Sequence, residues 1–554
     1  MKASDYIITE LKKINDRIFM VTGGGAMHLN DSVGRIIPYT CTHHEQAAAI
    51  AAEGFARISG RPGLCLVTSG PGVTNAITGL YGAWTDSIPV IFISGQMRRQ
   101  TLMRGIDRVR QIGDQEINAI ALVDSLTKYS FQPAPKYVDI KYCLQKAWWM
   151  ATHGRPGPVW LDIPLDLQAA DIDPDTMANF IPPAEDYSIS SMDMEQIQGS
   201  LKVAKRPLII AGHGIRLARS VKRFRHFLRG IEIPFVTTIN SIDLDFPRSL
   251  GNFGTLGTTA ANTAVREADT ILILGARMDI QSVGYEFGKL GKQAYKMMVD
   301  IDAGELNKRT FTADFRVLGS VANFFDQFNP EGIQVPTEWL QRCASLIMED
   351  AMNMPLLPDV EDYVNPYRMV QELNRFLKSG EIIASTNGMI SCITPQMLDT
   401  TPNMRYICNS GAGPMGYGLP LAIGAAFAAP EQRVICLEGD GSIQMNIQEL
   451  QTVVGYNLPL KIIILNNGGY ASIRNTQDNY FEGRYVGADQ FSGVTFPDME
   501  EIAGAYGIPY CKARTNGELR TAMNKLFNII PGACICEIMG DPKAKIMPKG
   551  IKYE

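Results

Sequence analysis

Asp440 stands between two glycines in the stretch EGDGSIQMNI, just after the apolar run 434–437, and Asn466-Asn467 closes a second apolar run at 461–465. The hydrophobic pattern predicts one βαβ unit: a strand at 434–437, a helix at 445–456 with Ile447, Leu450 and Val454 at helical spacing, and a strand at 461–465. A right-handed crossover aligns the two strands in parallel. Asp440 and Asn467, 27 residues apart, should then emerge side by side at the carboxyl ends of one sheet. A carboxylate and an amide carbonyl are hard oxygen ligands that suit Mg²⁺ or Ca²⁺, and they are too few for an all-protein cage. The missing ligands would come from water and a phosphate-bearing cofactor, to which Gly441 and Ser442 offer free N–H groups and a hydroxyl.

Either half of this pair alone is compatible with an ordinary turn or strand end; it is the pair, spanned by a helix of the right length, that points to a site. One competing motif is present. Gly411-Ala412-Gly413-Pro414-Met415-Gly416 matches GxGxxG between the strand-like RYICNS and an apolar helix, and by itself would suggest a nicotinamide dehydrogenase. Against that reading, the next strand ends in Gly-Asp-Gly, and Pro414 removes one N–H donor from the phosphate turn.

The elements that must position these residues alternate along the chain. From the N-terminus to about residue 175, apolar runs such as GLCLVTSG and PVIFISG are separated by helical segments such as EQAAAIAAEGFARIS, the pattern of a parallel α/β sheet. Two further units follow, at 190–330 and 366–554, with 331–365 irregular in its hydrophobic pattern. The expectation is an α/β chain of three domains, each a doubly wound parallel sheet. Its 554 residues can bury several cores. A net charge of −5 with 20% charged residues gives no electrostatic reason to expect nucleic acid. The ten cysteines are scattered without a CxxC pair or zinc spacing, and no apolar stretch approaches the roughly 18 to 20 residues of a membrane span. With no signal-peptide pattern at the N-terminus, the expected compartment is the cytoplasm.

Taken together, GDG and the double Asn, THHEQAAAIAAEGFARISGRPG, LVTSGPGVTN, DSIPVIFISGQ, GRPGPVWLDIP, ILILGAR and PMGYGLP resemble, in order, the acetolactate synthase group of thiamine diphosphate enzymes. The resemblance covers most of the chain. It implies a pyrimidine-binding domain at 1–175, a central Rossmann-like domain at 190–330 and a diphosphate-binding domain at 366–554. It gives Glu45 the family's activating role, in which a carboxyl group bonded to a pyrimidine nitrogen promotes the cofactor's own amine as the base. Beside the buried-type run Ala47-Ala48-Ala49, such a carboxyl would be desolvated and kept protonated. Without the resemblance, a Glu at a helix start reads as a dipole partner.

The resemblance further implies that Asn387, Gly388, Gly413 and Met415 cradle the cofactor, with Met415 as its bulky prop, and that Gly469 joins Asp440 and Asn467 around Mg²⁺. Gln115, Lys128 and Arg277 are carried over as substrate-side catalytic residues, although Arg277 is equally readable as a flavin or surface ion-pair residue. Gly212, Gly214 and Asp302 resemble part of a FAD region, so FAD is an open structural cofactor; the reaction needs no redox step. The six histidines, none of them in the third domain, argue against a zinc hydrolase. His28 and His44 read equally as structural or proton-handling.

The departures lie on the substrate side. Family enzymes making branched-chain precursors carry Phe where this chain has Asp114, and Trp where it has Thr476; Met389-Ile390 replaces a Gln-His pair beside the phosphates. Polar groups in place of two aromatic walls suit an acceptor with several polar groups, because buried polar groups left unpaired are penalised. The expected reaction is decarboxylation of a 2-oxo acid, pyruvate, and transfer of the acyl unit to a polar carbonyl acceptor such as a keto-sugar. The alternatives are acetolactate synthesis itself and plain decarboxylation or carbon–carbon cleavage, for which Gly468-Gly469 resembles acyl-CoA-using relatives. The expected partners are small molecules and further copies of the chain, as a homodimer or homotetramer, with neither nucleic acid nor membrane.

Overall fold

The structure, a computed structural model, describes residues 1–103, 109–133, 140–244, 246–353 and 358–547. Its strands form three six-stranded sheets with every pairing parallel. The first contains β1 (Ile18–Met20), β2 (Tyr39–Cys41), β3 (Gly63–Val67), β4 (Val90–Gln96), β5 (Tyr129–Phe131) and β6 (Val159–Pro164), in the order β2-β1-β3-β4-β6-β5. The second contains β7 (Pro207–Ala211), β8 (Phe235–Thr237), β9 (Ser249–Asn252), β10 (Thr270–Leu274), β11 (Tyr295–Asp300) and β12 (Phe315–Leu318), in the order β12-β11-β10-β7-β8-β9. The third contains β13 (Ile382–Ser385), β14 (Arg405–Ile407), β15 (Val434–Gly439), β16 (Lys461–Asn466), β17 (Tyr510–Ala513) and β18 (Cys534–Met539), in the order β14-β13-β15-β16-β18-β17. The first and third sheets thus share one topology, a repeat that the side chains do not spell out.

Central strands such as β4 and β16 are apolar runs buried on both faces, as crossover helices covering a parallel sheet require. One core spans the first and third domains. Helix Glu45–Ser59 crosses helix Gly418–Ala428 so closely that a Cβ on Gly54 would lie 2.4 Å from the Leu421 carbonyl oxygen and one on Gly424 1.9 Å from that of Ala51. Beside this contact Arg57 is buried with two carboxylates, donating to Glu53 and to Asp86 at 2.7 Å each.

Two expectations are corrected. The stretch 331–365 is not irregular throughout: helix Thr337–Asn353 packs Trp339, Cys343 and Leu346 on the middle-domain core, and Trp339 Nε1 donates to the Pro207 carbonyl at 2.8 Å. The helix expected at 445–456 starts at Asp440 itself, as Asp440–Ile443, a 3₁₀ turn Gln444–Asn446 and helix Glu449–Gly455. Asn446 is buried in that run and bonds the Gly416 carbonyl at 2.6 Å; an inward polar residue hides the start from a hydrophobic periodicity.

Candidate active site

Strands β15 and β16 are neighbours with Gly439 opposite Leu465, so the two chain ends emerge together. Asp440 Oδ2 accepts the Gly469 N–H at 2.9 Å and Oδ1 accepts that of Gly441 at 2.9 Å. Burial pushes the Asp440 carboxyl up to about 6, against the pull of these N–H groups. Asn467 is buried, and its Oδ1 has no hydrogen-bond partner. A buried carbonyl oxygen without a donor, beside a carboxylate short of positive charge, is a pair that a hard cation would satisfy. Among the described residues no group of three or more His, Cys, Asp or Glu could hold a metal ion, so such a cation would need outside ligands such as a diphosphate. Gly469 gives its N–H to Asp440, leaving only its carbonyl for a ligand role.

Two residues not expected from the sequence shape this turn. The buried Arg474 guanidinium donates to the carbonyls of Asn467 at 2.8 Å, Ala488 at 3.1 Å and Pro542 at 3.1 Å. Glu537 accepts from Asn466 Nδ2 at 2.7 Å and pairs with Lys512 at 2.7 Å. Gly441 is required sterically: a Cβ there would lie 2.3 Å from the Tyr470 ring.

The cradle residues expected around a cofactor do come together. Asn387 Nδ2 donates to the Gly413 carbonyl, and its Oδ1 accepts the Gly388 N–H at 2.6 Å. Ser442 Oγ accepts the Gly416 N–H at 2.9 Å and bonds Thr386 Oγ1 at 2.6 Å. Its hydroxyl therefore sews the 411–416 loop to the Asp440 turn, where the sequence had suggested a free group. Met415 is half-buried on that loop. The GxGxxG match is no phosphate turn: Gly411 N–H goes to Asp86 at 3.1 Å and Ala412 N–H to Asn409 at 2.8 Å. Met389 and Ile390 are buried in the third-domain core.

Glu45 opens its helix at the carboxyl edge of the first sheet and is half-buried. His44 caps that helix through Nδ1, which accepts the Gln46 N–H at 3.0 Å, the structural role of the two considered. Asn75, inside the LVTSGPGVTN string yet not singled out, donates to Glu45 Oε2 at 3.0 Å. Gln115 sits at the same edge with a left-handed backbone, φ 58°, its carbonyl against Gly70. Glu116 pins that loop by accepting the N–H groups of Met103, Ile112 and Gly113.

Lys128 and Arg277 face the boundary of the first and middle domains, and Thr85, to which Arg277 donates, abuts Gly411. Lys128 donates to the His153 carbonyl at 2.6 Å, and burial pulls its ammonium down to about 8. Arg277 pairs with Asp279 at 2.6 Å and donates to the Thr85 carbonyl. Arg277 lines a cavity of about 1130 Å³ between the first and middle domains, together with Arg155, Gly214, Arg216 and Glu305. Its size and its arginines fit a dinucleotide diphosphate, but two of the three residues expected to hold FAD are committed. Gly212 packs against Gly275, where a Cβ would lie 2.1 Å from the carbonyl oxygen. Asp302 caps helix Ala303–Leu306 and pairs with Arg155 at 2.9 Å.

Comparison with known proteins matches residues 1–122 to the thiamine pyrophosphate enzyme N-terminal TPP binding domain, 194–328 to the central domain and 386–538 to the C-terminal TPP binding domain. The chain is 32% identical to the acetolactate synthase isozyme 2 large subunit of Escherichia coli (strain K12), over 95% of this chain and 94% of that one. It is 31% identical to the acetolactate synthase large subunit of Haemophilus influenzae, over 97% and 93%, and 33% identical to that of Buchnera aphidicola subsp. Schizaphis graminum, over 91% and 88%. With three domain matches, three parallel sheets and relatives above 30% identity over most of both chains, the chain belongs to the acetolactate synthase-like thiamine pyrophosphate enzymes.

Proposed function

We propose that the protein is a Mg²⁺-dependent carboligase that decarboxylates a 2-oxo acid, pyruvate, and passes the acyl unit to a polar carbonyl acceptor of the keto-sugar kind. When bound, thiamine diphosphate would supply a carbon acid whose deprotonated form can add to a 2-oxo acid carbonyl and then accept the electron pair that CO₂ leaves behind. Asp440, Asn467 and the Gly469 carbonyl would hold the cation and through it the diphosphate. The loop 411–416, fixed by Ser442, Asn446 and Asn387, would set the shape of the cofactor seat. Glu45, oriented by Asn75, would hold a proton against a ring nitrogen.

The acceptor assignment is carried by Asp114. Its side chain is exposed and has no ion-pair partner among the described residues, one position before the left-handed Gln115 on the loop that Glu116 pins beside Gly70. Once a second copy closes over this edge, a carboxylate at this position would favour an acceptor that donates hydrogen bonds. The names of the relatives favour a second reading, acetolactate synthesis from two pyruvates.

The 411–416 loop and the Glu45 of one chain would be halves of two different centres. Asp86, which binds the Gly411 N–H, is held by Arg57, twelve residues and about 18 Å along the helix from Glu45. A second copy would supply the missing half, which supports a homodimer or a homotetramer built from it. The size and charge of the interdomain cavity support a structural nucleotide there, FAD among the candidates. The test is product analysis by mass spectrometry from pyruvate, thiamine diphosphate and Mg²⁺, with and without hydroxylated ketone acceptors. Acetyl adducts that outcompete acetolactate support the carboligase; acetolactate as the sole product overturns it in favour of the synthase.

A further inference from the structure

The loop that presents Glu45 is held from another domain. Cys41 N–H donates to Tyr456 Oη at 2.9 Å, and His43 N–H donates to both Glu449 oxygens, at 3.0 and 3.3 Å. Tyr456 and Glu449 belong to the third domain. The Glu449 residue is fully buried, and its carboxylate also accepts from Thr452 Oγ1 at 2.6 Å. Among the described residues no salt bridge to Glu449 is formed. Burying a carboxylate without a counter-cation is costly, so its hydrogen bonds must carry the compensation.

The chain segment 440–455 reaches three parts of the site. Asp440 binds Gly469, Ser442 and Asn446 bind Gly416, and Glu449 binds His43. From Asp440 to Glu449 the run is helical except at 447–448 and spans about 14 Å. Thr42 Oγ1 donates to the His44 carbonyl at 2.9 Å, and His44 caps the Glu45 helix. The His43 amide is thus one short, stiff step from the Glu45 backbone.

We propose that Glu449 is a positioning residue for Glu45, and that the 440–455 run tightens the seat of Glu45 when the Asp440 turn takes up its cation and diphosphate. The first half stands on the geometry of one chain; the second rests on the proposed role of Asp440. In the proposed dimer each chain's Glu45 serves one centre and its Asp440 the other. The run is then a strut between two centres, and loading one centre prepares the acid of its neighbour.

The experiment is hydrogen–deuterium exchange on the full-length protein, read at the peptide spanning 41–46, alone and with thiamine diphosphate plus Mg²⁺, with binding followed by calorimetry. Expected are slow exchange in the free wild type and a further slowing on loading. In Glu449→Ala, exchange should rise at least tenfold and the loading increment vanish, with kcat falling more than KM. Glu449→Gln, whose amide oxygen still accepts the His43 N–H, should restore most of the protection, and Tyr456→Phe should release the Cys41 amide alone. Unchanged exchange in a folded Glu449→Ala variant overturns the positioning role, as does a Gln variant no better than Ala. Should the Ala variant not fold, the Gln variant and the wild-type loading increment decide. Calorimetric binding without any slowing at 41–46 overturns the coupling, whereas absence of binding overturns the reading of Asp440 beneath it.

Discussion

Asp440 and Gly469 are joined across the ends of neighbouring strands by a 2.9 Å hydrogen bond, and the unpartnered Asn467 oxygen lies two residues before Gly469. In the free chain, burial pushes the Asp440 carboxyl up to about 6 from its ordinary 3.8. A raised acid holds its proton more tightly in the folded state. Its contribution to stability is present below about pH 4 and lost as pH rises through about 6. A bound divalent cation reverses this by favouring the carboxylate. The melting temperature gained from Mg²⁺ with thiamine diphosphate is expected to grow between pH 5.5 and 7.5. Asp440→Asn should abolish that gain, and calorimetry in the two buffers would measure both effects.

Glu45→Gln preserves size and an oxygen for the Asn75 N–H, while removing the acid. CO₂ release from pyruvate should fall by about 10²- to 10⁴-fold, the usual worth of a positioned acid–base group. The melting temperature should be unchanged. Full activity in the variant would take the catalytic role away from Glu45.

How much of this was legible in the sequence follows from how local each signal is. The Asp440–Asn467 pair and the parallel sheets could be read because continuous apolar runs and a glycine-flanked acid sit within one βαβ unit. Asn75, Arg474 and Glu449 could not. Arg474 reads as a surface cation until its loop folds around it, and Glu449 as an ordinary acid within the expected helix, because its partner His43 is 406 residues away. Gly212 and Asp302 show the converse: small and acidic residues at strand ends serve close packing and helix capping as well as ligands, and the contacts with Gly275 and Arg155 are not visible in any local pattern.

The Glu53–Arg57–Asp86 cluster joins the first domain to the loop 409–411: Asn409 Nδ2 donates to Glu53 at 3.3 Å and Gly411 N–H to Asp86 at 3.1 Å. Its three side chains are at most 2% exposed. Removing the shared cation leaves two buried carboxylates without a counter-charge. Arg57→Ala is expected to cost about 3–5 kcal/mol, measured as the shift of the urea midpoint. A loss below about 1 kcal/mol would mean that the acids take up protons without consequence.

Asp114 and Thr476 set the acceptor preference on the proposed reading, and restoring the aromatic pair tests that preference without touching the Asp440 turn or Glu45. Both positions are exposed, and the only hydrogen bond of the Thr476 hydroxyl among the described residues is to the Ser472 carbonyl, one helical turn back. Neither substitution therefore removes a buried contact of the single chain. Asp114→Phe with Thr476→Trp replaces hydrogen-bonding groups by apolar walls. One such exchange is worth about 1–3 kcal/mol of discrimination, so the two together should move the product ratio by roughly 30-fold or more toward acetolactate and away from the hydroxylated adduct. The CO₂ release rate should change far less, because the donor half of the reaction does not use these side chains. If the ratio stays fixed while total turnover falls, the two residues support the loops on which they stand, and the polarity of the acceptor is read elsewhere.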